Sequence, residues 1–254
     1  MTEETKPTQI TSIKAFDHEF KCRGFQFEVG KTYTVAGKIK ACENGFHAVS
    51  TDSPFHVWDF YPIIDDAGRL TRYAEVTQSG DTNTEAQPQG TKIASASLTV
   101  NVELSLPDFI KRAVSWIVDA TKGKDESGDY AQIGSSGDYA QIGSSGDSAQ
   151  IGSSGDSAQI GSSGDSARIG SSGYSARIGS SGDYARIVAE GKKAVVACAG
   201  RATTVSGADG AWISIAEYDR NGDCIGFATG CIGKGGLKAG VPYIAKGGKL
   251  VEAA

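Results

Sequence analysis

The chain has 254 residues, with 25 basic and 30 acidic side chains and a formal net charge of -5. This balance excludes a protein that coats nucleic acid through bulk positive charge. With 39% hydrophobic and 22% charged residues, the composition also excludes a chain that is disordered throughout. Glycine is the exception, because its 34 copies are nearly twice the average share of roughly 7%.

No apolar segment approaches the roughly 20 residues that span a bilayer, and the first residues, MTEETKPTQ, lack the basic and apolar regions of a signal peptide. The cysteines are too few and odd in number for a disulfide framework, which favours a reducing compartment. They are Cys22, Cys42, Cys198, Cys224 and Cys231. We therefore expect a soluble, cytoplasmic protein with no membrane partner.

Short strand candidates separated by turn residues predict a small α+β domain over residues 1–104. The candidates are FQFEVG from Phe25, KTYTV from Lys31, RYAEVTQ from Arg72 and the alternating KIASASLTVNVEL from Lys92. This first part of the chain lacks the regular Gly/Ser punctuation of the central block.

The most enzyme-like cluster is the triplet GFH that ends at His47, with Cys42, His56 and Trp58 near it in sequence. Histidine suits proton transfer near neutral pH, yet a base alone does not make a catalytic site. We expect His47 to be structural, hydrogen-bonded in a turn or in the core. The order of strand, polar turn and aromatic segment is similar to part of the ADP-ribosyltransferase fold, so a divergent transferase is the enzymatic alternative.

Residues 105–127 predict a capping helix followed by a connector. Ser105 can cap the helix with Asp108 three residues later, and Pro107 lies in the first turn. One face is apolar and contains Phe109, Ile110, Ala113, Val114, Ile117 and Val118. We expect the helix to end near Thr121 and to cover the first coil of the following repeats as an N-terminal cap, with TKGKDE as the connector.

From Gly128 to Ile187 the sequence repeats with a period of nine residues, as in GDYAQIGSS and GDSARIGSS. Isoleucine recurs at every ninth position with Ala two residues before it, so both point to one side of a short strand. Tyr or Ser and Gln or Arg point to the other side. The GSSGD stretch predicts a corner in which glycine supplies positive φ and Asp or Ser bonds the local backbone.

One nonapeptide buries too little apolar surface to offset the ordering of nine residues, so the pattern predicts a stacked β-solenoid of about 18 residues per coil. A flexible linker is the alternative for a Gly/Ser-rich block, and the constant phase of Ile and Ala argues against it. The phase continues through Val196 and Val205, which extends the solenoid over residues 128–208.

Residues 209–254 contain alternating apolar positions around an Asn221-Gly222 turn signal and predict a C-terminal β-hairpin cap. The predicted fold class is therefore mainly β. A nonapeptide-repeat β-solenoid, of β-helix or β-roll type, lies between a small N-terminal α+β domain and a C-terminal β cap.

We expect the solenoid surface to bind a partner. Its corners display rows of Asp, and its strand faces change from Gln in the first four repeats to Arg in the next three. Stacked acidic rows resemble the phosphates of DNA, which carry one charge per about 1.7 Å of duplex axis. The alternative is that each Asp caps its own turn. The predicted partner-binding residues are Asp129, Asp138, Asp147, Asp156, Asp165, Tyr130, Tyr139, Arg168, Arg177 and Arg186.

The sequence predicts no cofactor and no metal. The spacing of Cys and His matches no common zinc site, and buried free thiols are the expected state of the cysteines. Nonapeptide solenoids that bind calcium place an acidic residue two positions before the apolar one, where this chain has Ala.

Five segments of the chain resemble a family of uncharacterised bacteriophage and prophage proteins, in which an N-terminal "GFH" α+β domain precedes short Gly/Asp/Ser/Ala repeats. The segments are KAFDHEFKCRGFQFEVGKTY (14–33), ACENGFHAVSTDSP (41–54), DFYP (59–62), RYAEVTQSGD (72–81) and ELSLPDFIKRAVSWIV (103–118). The resemblance implies a phage origin and a location in the host cytoplasm. It implies no activity and no site residues.

Together these observations predict a non-enzymatic protein-binding module. The expected partner is a host protein complex, one that binds DNA being a candidate, and the expected effect is inhibition of host defence, of the anti-CRISPR or anti-restriction type, or of DNA processing. Direct binding to nucleic acid is not expected. Homodimerisation through a solenoid face is a further hypothesis. The alternatives are a structural, virion-associated repeat protein and a transferase-like enzyme in the N-terminal domain.

Overall fold

The structure is a computed structural model that describes residues 9–52, 54–65, 67–84, 92–121 and 128–253. Strands account for 47% of the described residues and helix for 9%, and a β-solenoid of about five turns follows an N-terminal sheet domain. The predicted fold class is therefore confirmed. The chain divides into two compact units, Met1–Phe109 and Ile110–Ala254, with the boundary inside an α-helix.

The first unit is built on an antiparallel sheet. Its strands are β1 (Ile10–Phe16), β2 (Lys21–Cys22), β3 (Phe25–Gln26), β4 (Thr32–Thr34), β5 (Phe46–Ser50), β6 (Arg72–Thr84) and β7 (Lys92–Leu104). Strands β1 and β7 each pair with both β5 and β6, so these four strands close into a ring. Strand β4 extends β7, and β2 pairs with β3 as a separate short hairpin.

Aromatic side chains fill the core of this unit. Phe16, Phe20 and Phe27 pack with apolar residues of β5, β6 and β7. A 3₁₀ helix, Pro54–Asp59, follows β5 and buries Phe55 and Trp58. Phe109 stacks on Tyr73, with 4.5 Å between ring centroids.

Helix α1 (Leu106–Thr121) has the predicted start and end. The Ser105 hydroxyl accepts the Asp108 N–H at 3.3 Å and donates to the Asp108 carboxylate at 2.5 Å, which ties down the first turn. The predicted apolar face is buried from Phe109 to Ile117. The connector predicted after the helix falls on residues 122–127, outside the described residues.

The second unit contains the solenoid. Its strands are β8 (Gln132–Ser135), β9 (Gln141–Ser144), β10 (Gln150–Ser153), β11 (Gln159–Ser162), β12 (Arg168–Ser171), β13 (Arg177–Ser180), β14 (Arg186–Ala189), β15 (Val195–Cys198) and β16 (Thr204–Gly207). Even-numbered strands form one parallel sheet and odd-numbered strands from β9 form the other. Each strand pairs in register with the strand 18 residues away, as Ile151 does with Ile133 and Ile169.

The solenoid interior is a ladder of small and aliphatic side chains. The repeat Ile residues are buried along its length, as are the repeat Ala residues except the half-buried Ala140, and the valines of β15 and β16 continue the Ile ladder. The last Ser of each strand also points inward. Five of these hydroxyls are buried without a hydrogen-bond partner; they belong to Ser144, Ser153, Ser162, Ser171 and Ser180. In the later coils Ala189 and Cys198 replace this Ser.

The corners correct the expected role of glycine. The repeat glycines do not have positive φ; the residue after each Asp does, as in Ser148 at 57° and Ser166 at 58°. Glycine is needed because the coils stack closely. A Cβ added at Gly164 would lie 2.0 Å from the carbonyl oxygen of Gly146 in the preceding coil.

The corner aspartates bond the next coil and not their own turn. The Asp129 carboxylate accepts the Asp147 N–H at 3.0 Å, and Asp147 accepts the Asp165 N–H at 2.9 Å. In return, the Tyr130 N–H donates to the Asp147 carbonyl at 2.8 Å. Each corner thus links consecutive coils by side-chain and backbone hydrogen bonds, which explains why Asp recurs.

Antiparallel strands follow the last coil in both sheets. Strand β17 (Trp212–Tyr218) pairs with β15 and forms a hairpin with β18 (Cys224–Cys231). Strands β19 (Tyr243–Lys246) and β20 (Lys249–Glu252) form a second hairpin, which joins β16 through Tyr243. The hairpin at the Asn221-Gly222 turn is present as predicted.

Within the described residues, no helix has the length and apolarity needed to cross a bilayer.

Candidate functional site

One outer face of the solenoid is open. We define the open face as the outward residues of β8, β10, β12 and β14, which form two columns. The polar column contains Gln132, Gln150, Arg168 and Arg186, and the small column contains Gly134, Gly152, Gly170 and Val188. These residues line a shallow trough of about 830 Å³. A Cβ added at Gly134, Gly152 or Gly170 would meet nothing within 4 Å.

The corresponding face of the other sheet is covered. We define the covered face as the outward residues of β9, β11 and β13, which are Gln141, Gly143, Gln159, Gly161, Arg177 and Gly179. Here a Cβ added at Gly161 would lie 3.3 Å from the Ile117 Cβ and 3.5 Å from the Val114 Cα. Helix α1 therefore packs on this face at the second coil, and Gly143 in the first coil and Gly179 in the third are buried as well.

The two faces separate the predicted arginines. Arg168 and Arg186 are exposed on the open face. Neither forms an ion pair with another residue in the described part of the chain. Arg177 is 6% exposed and lies on the covered face with Gln159, which is 2% exposed. Arg177 is thus not on the surface that a partner would meet in this structure.

The predicted aspartates are all exposed, in two rows of corners. One row contains Asp129, Asp147 and Asp165, and the other contains Asp138 and Asp156. Each uses one carboxylate oxygen to accept the backbone N–H of the next coil. The first row ends at Asp183, which forms an ion pair with Arg201 at 2.6 Å. The aspartates therefore stabilise the corners while their negative charges face solvent.

The predicted tyrosines lie at the first two corners. Tyr130 is 74% exposed and Tyr139 is 49% exposed, and both have positive φ. The Tyr139 N–H donates to the Asp156 carbonyl at 2.7 Å. Their rings are available to a partner near the start of the solenoid.

The GFH cluster of the first unit has a structural hydrogen bond. The His47 Nε2 atom accepts the Cys42 N–H at 2.8 Å, which ties β5 to the turn before it. Because Nε2 accepts this bond, the histidine can hold a proton on Nδ1. His56 lies on the 3₁₀ helix and bonds the Asp59 carboxylate at 2.8 Å through Nδ1. The two histidines thus have different partners.

All five cysteines are free thiols. Cys198 and Cys231 are buried, as expected, but Cys42 and Cys224 are exposed and Cys22 is half-buried. Burial raises the pKa of the Cys198 thiol well above its usual range. No group of three or more His, Cys, Asp or Glu residues in the described ranges is arranged to bind a metal ion.

Two features of the structure were not predicted from the sequence. One is the difference between the open and covered faces, which have the same repeat sequence. The other is Lys14, which is 5% exposed in β1 and lines a pocket of the first unit. The sequence signal for Lys14 is its position within SIKAF, a segment whose other residues are apolar or small.

Comparison with known proteins adds one similarity. Residues 10–112 match the model of a family described as a domain of unknown function (DUF7666). The match covers the sheet of the first unit and the start of α1, and does not reach the repeats. No curated protein matches the chain. No solved structure matches it either.

Proposed function

We propose that this protein is a non-enzymatic binding module that docks a helix of a host protein on the open face. By covering that helix, the protein inhibits a host defence or DNA-processing complex. The main supporting observation is the presence of two glycine faces with the same repeat sequence, one packed against α1 and the other exposed.

The covered face indicates what the open face can accept. Gly161 leaves room for the β-branched Ile117 and the backbone of Val114, so a helix with an aliphatic stripe fits against a glycine column. Glycine columns permit such close approach because they lack Cβ atoms. Gly134, Gly152 and Gly170 recur at the same spacing, since the coils stack in register. A second amphipathic helix can therefore fill the trough.

The arginines of the open face indicate which kind of helix would bind there. Arg168 and Arg186 lie beside the small column on adjacent coils of one sheet, about 4.8 Å apart along the solenoid. Carboxylates that flank the aliphatic stripe of a partner helix would meet these guanidinium groups, which favours one orientation. The proposed partner surface is thus an amphipathic helix with an acidic edge.

The resemblance to phage and prophage proteins supports a bacterial host protein as the partner. Inhibition by occlusion requires no catalytic residue, so it agrees with the structural hydrogen bond of His47. A phage-encoded inhibitor of this kind would act in the host cytoplasm.

A second candidate function, partial DNA mimicry, is favoured by the exposed corner aspartates. The rows have one carboxylate per coil, about every 4.8 Å along the solenoid. Two such rows approach the charge density of duplex DNA, one charge per about 1.7 Å. A host protein that normally grips DNA would then be attracted to the first coils.

The first experiment compares two tryptophan variants. Gly152→Trp fills the centre of the trough, where an added side chain meets no neighbour. Ser154→Trp places the same ring on an exposed corner outside the open face and is the matched control. Each variant is expressed in a bacterial strain with an active CRISPR or restriction system, and the plating efficiency of a targeted phage is measured.

We expect the parent and Ser154→Trp to raise plating at least tenfold, and Gly152→Trp to lose this effect because the partner helix cannot dock. Affinity capture from the same strain should recover one protein with the parent and the control but not with Gly152→Trp. Equal activity of Gly152→Trp would contradict docking on the open face. So would sedimentation that shows a parent dimer and a Gly152→Trp monomer, since a second copy would then occupy the face.

The DNA-mimic candidate is tested by changing Asp129, Asp138, Asp147 and Asp156 to Asn. Asparagine keeps an oxygen that accepts the N–H of the next coil, so the stacking survives while four charges are removed. Loss of inhibition with this variant, but not with Gly152→Trp, would favour mimicry over helix docking. Full inhibition by the Asn variant would exclude mimicry.

A further inference from the structure

A pocket of about 580 Å³ opens in the first unit, separate from the solenoid surface. Residues of β1, β5 and the 3₁₀ helix line it, together with the segment around β2 and β3. Its size lies within the usual range for small-molecule sites, roughly 300–1,000 Å³.

Lys14 lies in the wall of this pocket with an ammonium group that is almost fully buried. Its Nζ donates to the His47 carbonyl at 2.8 Å and contacts the Cys22 Sγ at 3.5 Å. It forms no ion pair with a carboxylate of the described residues. Burial lowers the pKa of this amine below its ordinary value. A buried cation without a counter-ion is costly, and an anion in the pocket would relieve that cost.

A second cation also lines the pocket. Arg23 lines the same pocket and is exposed, and no described residue pairs with its guanidinium. Lys92 lines the pocket as a third cation, and Glu43 and Asp59 line it as acidic residues, so the charged lining has a net charge of +1, which favours an anion.

Aromatic side chains form part of the remaining lining. Phe25 is 48% exposed and Phe60 is 40% exposed, and both line the pocket with Phe27 and Phe46. The Lys92 Nζ atom lies 4.0 Å from the centroid of the Phe60 ring and so covers one face of it, whereas the exposed Phe25 ring can stack on a planar group. Tyr61 completes this side, with its hydroxyl 2.9 Å from the Cys22 Sγ.

We propose that this pocket binds a small aromatic anion of the size of a nucleoside monophosphate, with its anionic group toward Lys14 and Arg23 and its planar part against the exposed ring of Phe25. The proposal does not depend on the function of the solenoid. It uses Lys14 as a binding group and assigns no reaction to it.

The competing explanation is internal. If the Cys22 thiol were ionised, its thiolate would neutralise Lys14, and Tyr61 could donate a hydrogen bond to it. Burial and the Cys22 contact raise the pKa of Tyr61, so its hydroxyl stays protonated and able to donate. In that case the pocket has no need of an external anion.

The test is calorimetric titration of the full chain with AMP, GMP, CMP and UMP, with adenosine as the uncharged match of AMP and inorganic phosphate as the anion alone. We expect at least one monophosphate to bind, and adenosine and phosphate to bind at least tenfold more weakly. Lys14→Met and Arg23→Gln should each weaken binding about tenfold, the loss expected for one charge-assisted hydrogen bond. Lys38→Met, an exposed position outside the pocket, should bind like the parent.

Circular dichroism shows whether each variant is folded, so that a loss of binding can be told from a loss of folding. If Lys14→Met does not fold, the binding of Arg23→Gln still tests the proposal. Absence of binding by all four monophosphates would overturn the proposal. So would tight binding that both Lys14→Met and Arg23→Gln retain. Binding that appears only in Cys22→Ser would show that the thiolate is the natural partner of Lys14, and would also overturn it.

Discussion

Strands β10 and β11 have the same sequence, Gln-Ile-Gly-Ser, and sit in consecutive repeats that are identical over all nine residues. Gly152 in β10 is exposed, whereas Gly161 in β11 is buried beneath Ile117 of α1. The two sheets of the solenoid thus have the same repeats and different surroundings. The comparison shows that a repeat array can supply several equivalent surfaces, and that the sequence outside the array decides which of them stays available.

The largest effect is expected at the corners, which both sheets share. In Gly164→Ala the new Cβ would lie 2.0 Å from the Gly146 carbonyl oxygen, and the stacked backbone cannot move away without breaking the ladder on both faces. We expect a loss of about 3 kcal/mol in the free energy of unfolding, measured by urea denaturation. Gly134→Ala, an open-face glycine with no neighbour within 4 Å, is the control and should change stability little. Equal effects of the two would show that the coils do not stack this closely.

The next effect tests the two faces directly. Gly161→Ala places a Cβ 3.3 Å from Ile117, so α1 must shift, and we expect a cost of about 1.5 kcal/mol. Gly152→Ala makes the same change in an identical repeat. It should be neutral or stabilising by up to about 1 kcal/mol, because alanine loses less conformational entropy on folding than glycine does. Denaturation of the pair under one set of conditions measures the difference. If both variants behaved alike, α1 would not pack on the covered face in solution.

A smaller effect is expected from the corner aspartates. Asp147→Ala removes the acceptor of the Asp165 N–H and should cost about 1 kcal/mol. Asp147→Asn keeps an acceptor oxygen and should remain within about 0.5 kcal/mol of the parent. Thermal unfolding of both variants separates the hydrogen bond from the charge. An equal loss in the two variants would assign the role of Asp147 to its charge, because both remove the charge and only Asn keeps an acceptor.

The smallest effect concerns the interior that both sheets enclose. The Ser162 hydroxyl is buried without a partner, so Ser162→Ala should stabilise the protein by up to about 1 kcal/mol. Its neighbour Ser163 is exposed, and Ser163→Ala should leave the unfolding midpoint unchanged. The chain itself makes this kind of replacement in later coils, at Ala189 and Cys198. Destabilisation by Ser162→Ala would indicate that the Ser hydroxyls bond one another along the ladder.

Periodicity alone determined the solenoid. An apolar residue at every ninth position predicts a stacked solenoid, because each repeat can bury its Ile only against the coils before and after it. For the same local reason, the capping residues and apolar stripe of α1 were sufficient to place that helix between Leu106 and Thr121. The nine-residue phase also continued correctly into β15 and β16.

Contacts between distant residues could not be obtained this way. The corner glycine was assigned to positive φ, but its reason is a carbonyl oxygen 18 residues away. The corner Asp was expected to bond its own turn, and it bonds the next coil. Both errors follow from treating a corner as a local turn when stacking sets its geometry.

For the candidate sites too, the sequence predicted some features and the tertiary structure determined others. Sequence alone identified the exposed aspartates and the change from Gln to Arg along the array, since these follow from the repeat pattern. Only the tertiary structure decided that Arg177 is buried while Arg168 and Arg186 are exposed, because α1 packs on one of two equivalent faces. It likewise revealed Lys14 in an aromatic pocket, a position created by strands and loops that are separated in sequence.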